Sequence, residues 1–82
     1  MNDREHGQLF RNFTEWKIRA FQILKELNKN NIKETKDKLL IFNKFYTDNR
    51  KKYSFDHTLS GELIDLGMVI SKIEAKIKEL EK

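Results

Sequence analysis

Between Leu59 and Leu80 the apolar residues Leu59, Leu63, Leu66, Ile70, Ile73, Ile77 and Leu80 recur at spacings alternating between four and three, without a miss. Such a heptad row describes one long amphipathic helix, about 33 Å from end to end at about 1.5 Å per residue. A rod of that length cannot bury its stripe against itself, so it requires partner helices of similar length. Nothing in the chain opposes helix: proline is absent and glycine occurs only at Gly7, Gly61 and Gly67, so few positions break the ladder or demand unusual backbone angles.

The chain supplies two further rows. Leu9, Phe13, Trp16, Ala20, Ile23 and Leu27 form one, widened by Phe10, Phe21 and Leu24, and Ile32, Thr35, Leu39, Phe42, Tyr46, Asn49 and Tyr53 form the other. Asn28-Lys29-Asn30-Asn31 separates them with side chains that compete for backbone hydrogen bonds. Asn31 followed by Glu34 has capping-box spacing, which places the start of the second helix there. Ser54, Asp56 and Thr58 are all available to cap the third helix, and Asn49 is expected to be a solvated residue in a fraying end. The rows predict an all-α single domain over 1–82, a three-helix antiparallel bundle with helices at 8–28, 32–52 and 57–81 and a frayed or disordered segment at 1–7.

A chain of 82 residues buries a modest share of its surface, and small domains usually add disulfides, a metal or a second subunit. Cysteine is absent and only His6 and His57 offer ring nitrogens, which leaves self-association. The third helix also carries a second row, Gly61, Ile64, Met68, Ser71 and Ala75, more apolar and small surface than a lone bundle uses. A homodimer or a tight hetero-complex is therefore expected, with Phe45, Ile64, Gly67, Met68, Ser71 and Ala75 as the interface candidates. Phe45 is chosen because it points away from its seam. Gly67 inside a helix costs about 1 kcal/mol relative to Ala, which points to close approach of another backbone or to a weak point in the helix, the former being the expectation. The remaining aromatic residues lie mostly on the seams and are expected in the core.

Charge is unevenly spread. Residues 1–28 hold five basic and four acidic side chains, 29–52 hold eight and three, and 53–82 hold four and six, within a net charge of +4. In the basic middle, Lys33, Lys36, Lys44 and Lys51 fall on the side of the second helix opposite its seam, bordered by Asp37 and Asp48. The bland reading is a solvated face; the functional one is a ridge contacting phosphates, with Lys33, Lys36, Lys44, Arg50, Lys51 and Lys52 as candidates, or an acidic protein partner. Arg50, Lys51 and Lys52 also suit the negative end of the helix dipole, as Glu62 and Asp65 suit the positive end of the third helix.

Arg50 and His57, with six residues between them, resemble the Arg-to-His spacing of the HEPN family of helical ribonucleases. The resemblance covers eight residues. It implies a phosphodiester-cleaving site shared across a dimer, in which Arg50 stabilises charge and His57 acts as acid or base. The chain departs from the family in being shorter than its usual domain and in having Lys51 where an uncharged polar residue is common.

Elsewhere no nucleophile accompanies a base, no glycine-rich phosphate loop occurs and no ligand set is spaced for metal, so no enzyme activity, cofactor or metal is expected. Asn12-Phe13-Thr14 matches a glycosylation sequon, but it falls inside a helix of a chain whose amino terminus has no apolar signal core. No window approaches a membrane span. The expectation is a cytoplasmic, non-enzymatic helical interaction protein that occupies a surface of a larger protein, as regulators, adaptors and phage-type inhibitors do. The alternatives are nucleic-acid binding by the basic face and, more remotely, an oligomer holding a small anion or a HEPN-like ribonuclease.

Overall fold

A computed structural model describes residues 1–82 and contains three helices and no strand: α1 (Asp3–Glu26), α2 (Ile32–Lys52) and α3 (His57–Leu80). They assemble into a helical bundle shaped as a rod of 47 × 18 × 16 Å. Each heptad row faces inward. Phe13, Ala20 and Leu27 of the first row, Thr35, Leu39, Phe42 and Tyr53 of the second, and Leu59, Leu63, Leu66, Ile70, Ile73 and Ile77 of the third are buried. α3 contributes more of this core than either neighbour, and α1 runs along it over the greater length. No helix is long and apolar enough to cross a membrane.

Polar contacts tie the helices in a consistent order. His6 of α1 meets Asp56 at the start of α3, Thr14 and Lys17 meet Glu62, and Lys76 donates to the Leu24 carbonyl. On the other side Arg50 near the end of α2 donates to Ser60, and Lys36 near its start pairs with Glu81 at 2.7 Å.

The α1 and α2 backbones approach one another least, because large rings lie between them. Trp16 stacks on Phe45 with centroids 3.9 Å apart and planes 7° from parallel, while its edge geometry with Phe42 is near perpendicular. Phe13 meets Phe45 and Tyr53 edge-on at 5.7 and 5.5 Å. Offset-stacked and edge-to-face pairs add about 0.5–1.5 kcal/mol each beyond their burial.

The ends differ from the sequence expectation in instructive ways. α1 begins at Asp3, not near Gln8, because the Asn2 side chain accepts from the Glu5 amide at 2.8 Å and Asp3 and Glu5 sit in the positive first turn. His6 then anchors that turn to Asp56, so 3–7 are helical rather than frayed. Asn31 does not form the expected capping box, since its side chain makes no cap bond to α2. It turns back to α1 instead, donating to the Glu26 carbonyl at 3.1 Å and accepting from the Asn28 amide at 2.9 Å. Asn28 also donates to the Glu26 carbonyl, so the linker satisfies an orphan acceptor of α1. Among the three possible caps of α3, Asp56 is the one used, accepting from the Leu59 amide at 2.9 Å.

Candidate functional site

The best candidate for a functional surface is the outer side of α3. Its inward row is consumed by the core, and Val69 is turned in as well. The second row is left outside: Ile64 is 46 % and Met68 57 % exposed, Ser71 and Ala75 are exposed, and Gly61 is half-buried. Large apolar side chains in that position are the observation that needs explaining, rather than the exposed lysines beside them.

α1 extends the surface. Phe21 and Met68 line one shallow recess between α1 and α3, together with Lys17, Asp65, Val69 and Lys72. Phe21 is about half exposed, as is Ile18 one turn before it. Ile18, Phe21, Met68 and Ile64 thus form an apolar strip across two helices, joined by one-turn steps and the shared recess. Phe21 and Ile18 are not among the expected interface residues, because Phe21 reads as a widening of the α1 seam; its exposure in the bundle shows that it lies outside the core.

Two of the expected interface residues are engaged within the chain. Phe45 is half-buried under Trp16 rather than presented to a partner. Its wheel position points away from the α2 seam, but toward α1. Gly67 does mark a close approach, though from a side chain and not a second backbone: a Cβ there would lie 2.7 Å from Cε2 of Tyr46.

The basic face of α2 is partly neutralised. Lys36 is paired with Glu81, Arg50 is held by Ser60, and Lys52 lies 5.5 Å from the Tyr53 ring centroid. Lys33, Lys44 and Lys51 are exposed and make no ion pair. Leu40 and Ile41 project from the same helix, 72 % and 63 % exposed. Asn49 is half-buried and bonds back to the Phe45 carbonyl at 2.8 Å instead of fraying.

At the end where α3 begins, the histidine that finds a carboxylate is His6, not His57. Its Nε2 lies 2.9 Å from Asp56 Oδ2, while His57 is exposed. The Leu59 amide, followed by His6, holds the Asp56 carboxyl below the usual carboxylate range, against partial desolvation. Glu62 and Asp65 also have a different role from the expected one, since α3 has no acid in its first turn. Both face Lys17, at 2.9 and 3.7 Å.

No group of three or more His, Asp or Glu side chains is placed to hold a metal ion. A second recess, between α1 and α2, sets Arg19 and Lys38 beside Glu26 over Ile23 and Phe42; an acid on its rim and only two cations give it no clear preference for an anion. No protein-family model, curated protein or solved structure matches the chain.

Proposed function

We propose that this chain is a non-enzymatic interaction protein: an antiparallel, up-down-up three-helix bundle that self-associates and occupies a surface of a larger protein. The single observation that carries the reading is the apolar strip formed by Ile64 and Met68 with Phe21 and Ile18, exposed although all three heptad rows are already satisfied inside. Apolar surface gains roughly 25 cal/mol for each Å² removed from water, so such a strip favours a cover.

The order of the helices is supported by the pairing of the α1 start with the α3 start and of the α2 end with the same region of α3. A binding role is supported over a catalytic one by the use made of the polar groups. His6 and Asp56 are spent on joining α1 to the cap of α3, and no hydroxyl or amine is hydrogen-bonded to His6 as a nucleophile.

The reading is tested by retrieving partners from the native host with the wild-type chain and with Ile64→Glu/Met68→Glu. A protein captured by the wild type and lost with the variant is the expected result. Equal capture by both removes the strip from the interface.

A second reading has its own support. Lys33, Lys44 and Lys51 are free of ion pairs on one side of α2, and a row of unpaired cations suits nucleic-acid phosphates. It requires a mobility shift that weakens steeply with salt and is lost in Lys33→Glu/Lys44→Glu; a shift unchanged by those substitutions eliminates it.

A further inference from the structure

We propose that the outer face of α3 is covered by α3 of a second copy of this chain, packed antiparallel about a two-fold axis close to Met68, with Asp65 of each copy opposite Lys72 of the other. The proposal rests on the self-association reading above and names the occupant of the face and its register.

Two charges on the outer side of α3 are incompletely matched within the single chain. Lys72 makes no ion pair. Asp65, with its side chain 55 % exposed, is only 3.7 Å from Lys17, whose ammonium is nearer to Glu62 at 2.9 Å. Asp65 and Lys72 are seven residues apart, which puts them at the same heptad position on one flank of the Ile64–Met68 row. The acid shares its one cation, Lys17, with the nearer Glu62, and the base has no ion-pair partner.

Geometry then selects the arrangement. In an antiparallel helix pair each flank faces the same flank of its neighbour, and positions equidistant from the axis lie opposite. An axis close to Met68 therefore brings Asp65 against Lys72 of the other copy, twice, by symmetry. In a parallel pair this flank would face the opposite one, which carries Lys78, and Asp65 and Lys72 would not meet. A reciprocal acid–base match about a centre is what an isologous surface provides, since residue i of one copy meets residue j of the other and the reverse.

Packing agrees with the charges. The axis sets Met68 nearest the centre, and Ile64 comes opposite the stretch of the other copy that carries Ser71 and Ala75, which are small enough for the helices to approach closely. Phe21, beside Met68 in the shared recess, would be covered at the edge.

The test uses sedimentation equilibrium and native mass spectrometry on the full chain, with helicity by circular dichroism as the folding control. Asp65→Lys and Lys72→Asp each turn two attractive pairs into two repulsive ones, and each should weaken dimerisation at least about tenfold. Asp65→Lys/Lys72→Asp restores both pairs and should recover most of the lost affinity. An equimolar mixture of Asp65→Lys with Lys72→Asp should form heterodimers in clear excess over either homodimer.

Single reversals without effect, or a mixture without heterodimer excess, overturn the antiparallel register. If Ile64→Glu/Met68→Glu abolishes the dimer in that event, the apolar-face reading survives alone. A wild-type chain that stays monomeric overturns the second copy as occupant, and partner capture by the same face then decides whether the broader reading stands.

Discussion

The ring of Tyr46 in α2 is seated directly on Gly67 of α3, so closely that a Cβ at that glycine would fall 2.7 Å from Cε2 and 2.8 Å from Cζ. Glycine is kept here against its helix propensity because it makes room for a side chain. Gly67→Ala gains about 1 kcal/mol of propensity but forces the Tyr46 ring to shift, at an overpacking cost of about 1–3 kcal/mol. Urea unfolding should show net destabilisation by about 1 kcal/mol. In a Tyr46→Ala background the same substitution should instead stabilise by about 1 kcal/mol, and a sign that does not change between backgrounds would falsify the seat.

Phe45 is expected to act on stability before it acts on any partner. Phe45→Ala removes the stack on Trp16 and the edge contact with Phe13, at a cost of about 2–3 kcal/mol for a half-buried ring. The near-UV dichroism of Trp16, the one tryptophan, should collapse in the folded variant. An unaltered tryptophan signal with normal stability would return Phe45 to the list of surface contacts.

The junction of His6, Asp56 and Leu59 gives stability a defined dependence on pH. The Asp56 carboxyl is lowered by the Leu59 amide and by His6, so the folded state holds it ionised more firmly than the unfolded state does. That contribution is fully present above the ordinary carboxylate value of about 3.9 and is lost as pH falls through the lower, folded-state value. Asp56→Asn keeps a capping oxygen but cannot ionise, and should flatten the loss of stability below about pH 4. An unchanged acid limb in thermal melts would show that Asp56 is not the titrating group.

Substitutions on the exposed strip should separate association from folding. Ile64→Glu/Met68→Glu touches side chains about half exposed and should change the stability of the isolated bundle by no more than about 0.5 kcal/mol per site. A large loss of helicity would mean that both side chains are needed inside.

The three rows were legible because burial in a helix pair is periodic, and every row residue is buried or half-buried. Asp56 was already among the possible caps of α3. What local patterns do not carry is choice between competing partners. Asn2-x-x-Glu5 and Asn31-x-x-Glu34 share one spacing, yet only Asn2 caps its helix, because the Asn31 side chain is engaged with the Glu26 carbonyl and the Asn28 amide. Gly67 announced a close approach without naming the ring that makes it. Phe45 pointed off its seam in the helical wheel, and only the position of α1 reveals that Trp16 waits there. At the candidate surface Ile64, Met68, Ser71 and Ala75 were readable as surplus, whereas Phe21 needed the register of α1 on α3.

Sedimentation equilibrium of the wild type beside Ile64→Glu/Met68→Glu, from about ten micromolar to about a millimolar, tests the central claim most directly. A wild type that passes from monomer to dimer across that range, with a variant that remains a folded monomer throughout, is the expected outcome. A dimer of undiminished affinity in the variant would contradict it, because the outer side of α3 would then have no part in holding two molecules together.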